Sequence, residues 1–183
     1  YPHINISITC QSTNDTLKLL EENKIDVGLI GKPESLKNID FYYLAEIKDI
    51  FVATKDYLRN LKARGVKEDR ILQSSTIMLL DKNNMTRQYI DDYLQENHIV
   101  VQDSIDISSM DLLIEFAKIS VGVACVIREF VKEELADGSL IEIPLGFPIH
   151  KREVGFAYKK SVKPSKSLEL FVDFYKSHEL LHS

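Results

Sequence analysis

The sequence predicts an α/β fold, because short apolar runs typical of strands alternate with segments of helical period along most of the chain. The 183 residues are enough for one large domain or for two small lobes that share a chain. A hydrophobic fraction of 44% and a charged fraction of 28% are ordinary for a globular protein. These observations together predict sheets covered by helices.

The first elements predict a strand–helix–strand unit. In residues 4–10, isoleucine or cysteine alternates with polar residues, which is the period of a strand with one buried face. Ser12 then opens a predicted helix that carries Leu17 and Leu20, and residues 27–30 form a short apolar run. Such a unit is typical of a parallel sheet.

The pattern continues with a strand at residues 50–53 and a short helix that Gly65 ends in a left-handed cap. It restarts near residue 74 and again near residue 149, after the Gly146-Phe147-Pro148 break. The two restarts indicate two lobes, but the pattern does not say which lobe the last segment joins. The further predicted strands are residues 76–80, 105–107, 121–127, 140–143 and 153–158, and the predicted helices contain residues 89–94, 112–117, 130–135 and 168–175, the last capped by Pro164-Ser165.

The most specific pattern lies between residues 120 and 144. The apolar run Ser120–Ile127 precedes a short helix, the turn Asp137-Gly138 and the strand that ends at Pro144. Together with Tyr1-Pro2-His3-Ile4 at the start and residues 24–30, this order resembles the effector-binding domain of LysR-type transcriptional regulators. Family members often have Gly where Ser120 stands and Pro where Ile127 stands.

The resemblance implies a two-lobed, periplasmic-binding-protein-like (type 2) fold with mixed or parallel sheets and two interlobe crossovers. Residues 1–73 and 150–183 would form lobe I, residues 74–149 would form lobe II, and a ligand would bind in the cleft between them. The family's DNA-reading domain, an N-terminal winged helix-turn-helix, is absent from this chain. The resemblance further implies a homodimer or tetramer, without enzymatic activity, that reaches DNA only through that missing domain.

Polar loops that follow predicted strands are the candidate ligand contacts, because ligands of parallel sheets collect beyond the carboxyl ends of strands. Ser12 and Ser108 each stand three residues before an aspartate, which is typical of a helix cap as well as of a ligand contact. The resemblance favours effector contacts for Ser12, Thr13 and Ser108. Asn14 lies in the same loop as Ser12 and Thr13.

Arg87 is the other prominent candidate, because a cation in the first turn of a helix opposes the helix dipole. It is either a surface residue, solvated or paired with Asp81 or Asp91, or a receptor for an anion together with the hydroxyl of Thr86. Lys32 is a second candidate anion contact, and Val123 is predicted to supply an apolar wall behind the ligand.

Composition excludes several classes of function. The formal net charge of −5 gives these residues no general attraction to phosphate backbones or anionic membranes. No apolar run is long enough to span a bilayer. The five histidines show no paired metal-ligand spacing, and we expect neither a metal nor a cofactor. Cys10 and Cys125 are expected to be buried thiols, which is consistent with a reducing cytoplasm.

The sequence therefore predicts a domain that senses a small molecule, with a carboxylate, an amino acid or an inorganic anion as the expected effector. Two alternatives stay open. A solute-binding protein of a transport system has the same lobe plan, and a removed signal peptide would then precede Tyr1. An enzyme on the same scaffold would need convergent acid–base groups in the cleft, which the sequence does not reveal.

Overall fold

A computed structural model describes residues 1–33, 35–160 and 165–179. Two units divide the chain. Unit 1 comprises Tyr1–Ala45 and the described residues from Val154 onward, and unit 2 comprises Glu46–Glu153. Residues 46–73 and 150–153, which the resemblance placed in lobe I, therefore belong to unit 2. The strand at residues 49–53 is hydrogen-bonded to two strands of unit 2, which explains why this segment belongs to that unit.

Unit 1 contains a three-stranded sheet with a helix on each face. Its strands are β1 (Gly28–Gly31), β2 (Ile39–Ile47) and β8 (Arg152–Lys159), in the order β1-β8-β2. β1 and β8 are antiparallel, with Gly28 opposite Ala157. The boundaries of the unit fall within β2 and β8. Helix α1 (Thr13–Glu21) covers a small core of Leu20, Ile30, Ile39 and Ala157.

The second helix of unit 1, α7 (Lys166–Glu179), packs through aromatic rings. Phe156 on β8 makes edge-to-face contacts with Phe171 and Tyr175, at centroid distances of 5.0 and 5.2 Å. The Ser165 hydroxyl accepts a hydrogen bond from the Leu168 amide at 3.1 Å, as a cap does. Pro164, the other predicted cap residue, lies outside the described residues.

The prediction of a strand at residues 4–10 is wrong. These residues have no regular structure, and the side chains of Ile6 and Ile8 are 75% and 88% exposed. β1 takes β8 as its antiparallel partner, and no described strand pairs with residues 4–10. An alternating pattern becomes a strand only where a neighbour satisfies its backbone groups, so the predicted parallel unit does not form here.

Unit 2 contains a five-stranded mixed sheet in the order β5-β4-β6-β3-β7. β4 is parallel to β5 and to β6, whereas β3 is antiparallel to β6 and β7. The strands are β3 (Asp49–Ala53), β4 (Thr76–Leu80), β5 (Asp103–Ile107), β6 (Val123–Ile127) and β7 (Ile141–Glu142); the helices are α2 (Lys55–Ala63), α3 (Ile71–Ser74), α4 (Met85–Glu96), α5 (Met110–Lys118) and α6 (Lys132–Asp137).

Alternation along the strands builds one core on each face of this sheet. Ile77 and Leu79 of β4 belong to the cluster that contains Ile90 of α4. Met78 and Leu80 belong to the cluster that contains Leu113 of α5. Left-handed glycines end two helices, since φ is +81° at Gly65 and +77° at Gly138. The predicted α/β class with mixed sheets is confirmed. No helix within the described ranges has the length and apolar composition that a membrane span requires.

Candidate functional site

The carboxyl ends of three parallel strands meet at one edge of the unit 2 sheet. Leu80 of β4 stands opposite Ile107 of β5, and Ile127 ends β6 opposite Asp49 of β3. Helices α4 and α5 begin just beyond this edge, so their free backbone amides lie there. We call this region the carboxyl edge, and it consists of residues 81–87, 108–110 and 127–128 together with Asp49.

At the start of α4, Asn84 is the N-cap. Its side-chain oxygen accepts a hydrogen bond from the Thr86 amide at 2.8 Å. Lys82 in the preceding loop is exposed, and its ammonium group has no partner within the described part of the chain. Asn83 is exposed and already has a partner. This helix start therefore offers backbone amides and one solvated cation.

Arg87 is buried and paired. Its Nε donates to Asp91 at 2.8 Å, and its Nη1 donates to the Leu80 carbonyl oxygen at 2.8 Å and to Asp106 at 2.5 Å. Burial opposes its charge, but the hydrogen bonds and charges of Asp91 and Asp106 outweigh burial and raise the pKa of the guanidinium. The geometry favours the paired interpretation, in which Arg87 fastens α4 to the ends of β4 and β5.

The sequence did not predict a second ion pair at the carboxyl edge, whose carboxylate is buried and whose guanidinium is partly exposed. The Nε and Nη2 of Arg152 donate to the two carboxylate oxygens of Asp49, at 2.7 and 3.0 Å. Nη2 also donates to the Thr86 hydroxyl at 3.2 Å, and the guanidinium lies 5.1 Å from the centroid of the Tyr89 ring. The only signal in the sequence was Asp49, a carboxylate at the start of an apolar strand. A charge buried at that position needs a partner of opposite charge, but the sequence does not identify it.

The protonation of Asp49 reflects competing effects. Burial of its carboxylate raises the pKa, the hydrogen bonds and charge of Arg152 oppose this, and the charge of Glu129 adds to the increase. Asp49 is fully buried, so its attachment to Arg152 is shielded from solvent.

At the start of α5, the cap is Ser109 rather than Ser108. The Ser109 hydroxyl accepts a hydrogen bond from the Leu112 amide at 3.3 Å. The prediction that Ser108 and Asp111 form the capping pair is therefore off by one residue. Ser108 is exposed, and its hydroxyl has no partner among the residues that the structure describes. It is left available for a ligand.

Val123 does not line the carboxyl edge. It is the first residue of β6 and lies at the amino end of that strand, where it is fully buried in the core on the α4 side of the sheet. A residue at the opposite end of a parallel strand cannot reach a ligand bound beyond its carboxyl end. The predicted apolar wall is therefore wrong.

The candidates in unit 1 surround the start of α1. Ser12 is the N-cap, as the capping interpretation predicted, and its hydroxyl accepts from the Asp15 amide and donates to the Asp15 carboxylate. The Thr13 hydroxyl accepts a hydrogen bond from the Gly31 amide at 3.4 Å. Lys32 lies 6.0 Å from the centroid of the Phe41 ring, and both Lys32 and Asn14 have further partners. These side chains are part of the local structure of unit 1.

The carboxyl edge is therefore equipped for binding through hydrogen bonds. Both guanidinium groups are neutralised by carboxylates, which leaves the hydroxyls of Thr86 and Ser108, the helix amides and Lys82 as available donors. Within the described ranges, no three His, Cys, Asp or Glu side chains are arranged to hold a metal ion.

Comparison with known proteins identifies a matching family model, distant sequence relatives and solved structures of similar fold. The family model for the LysR substrate binding domain matches residues 1–179. The transcriptional activator CmpR of Synechocystis is 23% identical over 180 residues, which cover 98% of this chain and 58% of CmpR. The chain thus spans less than two thirds of the length of this relative.

Solved structures show the same fold. The regulatory domain of Synechocystis CcmR, in complex with 2-PG, superposes with a TM-score of 0.79 at 15% identity, covering 95% of this chain and 83% of that domain. The effector-binding domain of QuiR, in complex with shikimate, has a TM-score of 0.71 at 17% identity and covers 90% of this chain and 76% of that domain. With the family match over nearly the whole sequence, the chain belongs to the LysR substrate-binding domain family, the effector-binding domains of LysR-type transcriptional regulators.

Proposed function

We propose that this chain senses a small polar or anionic molecule at the carboxyl edge of unit 2, with Thr86 and Ser108 as direct contacts. The observation that carries the proposal is that two hydroxyl groups, whose protons have no acceptor among the described residues, stand beside the starts of α4 and α5. Helix N-termini favour negative charge and oxygen acceptors, and Lys82 adds a cation nearby. The effector is therefore a carboxylate, a phosphate ester or a comparable oxygen-rich metabolite.

Other candidate residues take different places in this proposal. Arg87 stabilises the carboxyl edge without contacting the ligand, because its donors are occupied by Asp91, Asp106 and the Leu80 carbonyl. Ser12, Thr13, Asn14 and Lys32 remain predicted contacts of unit 1. The complexes of CcmR with 2-PG and of QuiR with shikimate support a small-molecule ligand by analogy.

A thermal-shift screen of small carboxylates, phosphate esters and amino acids tests the proposal, because a ligand that binds only the folded state raises Tm. We expect hits whose shift decreases in Thr86→Val and in Ser108→Ala. Ser104→Ala is the matched control, since Ser104 is an exposed hydroxyl residue on β5 away from its carboxyl end. The assignment of the site would be contradicted if the ligand-induced rise in Tm were unchanged in both site variants, or if it decreased equally in Ser104→Ala.

We further infer that the chain forms a homodimer, or a tetramer built from dimers, through the outer face of α5. This face exposes large apolar side chains on neighbouring positions, which is typical of an interaction surface. Its members are Leu112 and Phe116 of α5, Ile119 and Val121 just after the helix, and Ile105 on the neighbouring strand β5.

Sedimentation equilibrium tests the dimer with a pair of variants. Ile119→Glu places a charge on the α5 face, and Val100→Glu places one elsewhere in unit 2 at the same 69% exposure. We expect dissociation only for Ile119→Glu. Equal behaviour of the two variants would exclude this face. In the full-length regulator, a separate domain would read DNA in the cytoplasm, and effector binding would alter the arrangement of its subunits.

A further inference from the structure

We propose that Arg152, held by Asp49, is a positioning residue that fixes the Thr86 hydroxyl as a hydrogen-bond donor and so selects effectors with an unprotonated oxygen. The inference rests on the proposed function, since it takes Thr86 as a ligand contact. It adds a residue for which the sequence gave no candidate role.

The geometry places one donor on a defined oxygen atom. Arg152 Nη2 lies 3.0 Å from Asp49 Oδ1 and 3.2 Å from the Thr86 hydroxyl oxygen, while Nε lies 2.7 Å from Asp49 Oδ2. A planar guanidinium held by two parallel bonds cannot rotate independently of its carboxylate. The Tyr89 ring beneath the guanidinium restricts it further. The direction of the donor to Thr86 is therefore set by β3 and α4.

The consequence follows from the hydrogen-bonding capacity of a hydroxyl, which has one donor and two acceptor positions. Arg152 occupies an acceptor position of the Thr86 hydroxyl, so the hydroxyl proton must point away from the guanidinium. Within the described part of the chain this proton has no acceptor. A bond accepted from a cation also polarises the hydroxyl and strengthens it as a donor.

This arrangement discriminates between ligand groups. A carboxylate or phosphoryl oxygen accepts the Thr86 proton and is attracted by the nearby guanidinium. An ammonium group has no oxygen that accepts this proton, and it is repelled by the guanidinium. A primary amide accepts the proton only when its single oxygen faces Thr86, whereas either oxygen of a carboxylate does so. Arg152 thus contributes to specificity through Thr86, without contacting the effector.

The test compares glycolate with glycolamide, two probes of equal size in which a carboxylate oxygen is exchanged for an amide nitrogen. Binding is followed by NMR titration of the isotopically labelled chain. We expect wild type to bind glycolate more tightly, and Arg152→Lys to reduce the ratio of the two affinities about tenfold, the value of one charge-assisted hydrogen bond. The lysine keeps the charge beside Asp49 but lacks the second nitrogen of the fork.

A double-mutant cycle separates positioning from a direct effect. Thr86→Val removes the hydroxyl while retaining the side-chain shape and the ion pair. We expect Thr86→Val to reduce the ratio as much as Arg152→Lys does, and the double variant to reduce it no further. Lys151→Gln is the matched control, because Lys151 is the neighbouring cation and its ammonium group bonds Glu46 at 3.0 Å.

The outcomes are distinct. If neither probe perturbs the carboxyl edge of wild type, the proposed anion site fails and this inference fails with it. If wild type prefers glycolate but Thr86→Val or Arg152→Lys retains the full preference, the positioning role is overturned while the proposed site stands. A further reduction in the double variant, or an equal reduction in Lys151→Gln, would also overturn it. Should Arg152→Lys not fold, Thr86→Val alone decides.

Discussion

Arg87→Met separates the two interpretations of the most prominent cation of the sequence. Methionine retains the apolar stem but removes the guanidinium that bonds Asp91, Asp106 and the Leu80 carbonyl oxygen. The Arg87 side chain is only 7% exposed, so the substitution removes bonds that are shielded from water. We expect a loss of stability, with effector binding largely retained.

The magnitude follows from the exposure of each partner. Loss of the donor to the Leu80 carbonyl, in a buried environment, costs about 1–3 kcal/mol. Asp91 and Asp106 are 46% and 39% exposed, so water replaces much of the lost bond, and each contributes about 0–1 kcal/mol. We therefore expect the free energy of unfolding to fall by about 1–5 kcal/mol.

Urea unfolding followed by far-UV circular dichroism measures this change. Lys82→Met is the control, because Lys82 is an exposed cation near the same helix start, and we expect a change within about 0.5 kcal/mol. An Arg87→Met variant as stable as the control would refute the reasoning. If that stable variant also lost its response to an effector, the direct anion contact would be correct instead.

Three further outcomes follow from the structure. His98→Gly should raise the free energy of unfolding by about 1 kcal/mol in urea melts, because φ is +54° at this helix end, whereas His98→Ala should give no such gain. Gly155→Ala should reduce the free energy of unfolding by about 2 kcal/mol or more and so lower Tm, because a Cβ at this position overlaps the backbone of β2. Gly146→Ala should leave Tm unchanged, because a Cβ at Gly146 meets no other atom. Cys10 is exposed and should react with a thiol reagent in the native state. Cys125 is buried, which raises the pKa of its thiol, so it should react only after the chain unfolds. Equal reaction rates of the two thiols would contradict this expectation.

The elements of unit 2 were predictable because their apolar runs are buried on both faces. The strands predicted at residues 50–53 and 76–80 match β3 and β4 closely. Residues 39–47 gave no such signal, since most side chains of β2 are half-buried or exposed and the pattern has no clean period. Residues 4–10 gave a strong signal without a partner strand in the structure, which shows that local pattern does not specify pairing.

The candidate site was predictable in outline but not in its charges. Polar residues after β4 and β5 were correctly placed at the sheet edge by the parallel-strand rule. The partners of the two arginines were not predictable with the same certainty. Asp91 lies one helical turn from Arg87 and was foreseen as a possible partner, but Asp49 and Arg152 lie 103 residues apart, where only the folded chain brings them together.

The resemblance had marked Ser120 as a departure from the family's usual glycine. The structure gives the physical meaning, because φ is +64° at this residue, in the left-handed region that favours glycine. Its hydroxyl shares a 2.6 Å hydrogen bond with the Thr54 hydroxyl, the cap of α2. The side chain thus gains an interaction that a glycine could not make.

The position of β8 has a consequence for how the protein is made. β8 is the central strand of the unit 1 sheet, yet among the described strands it leaves the ribosome last, more than a hundred residues after β2. Until Arg152–Lys159 emerges, β1 and β2 have no common neighbour, whereas the strands of unit 2 are already complete. Nascent chains should therefore acquire protease resistance in unit 2 first, with unit 1 following only after Arg152–Lys159 has emerged.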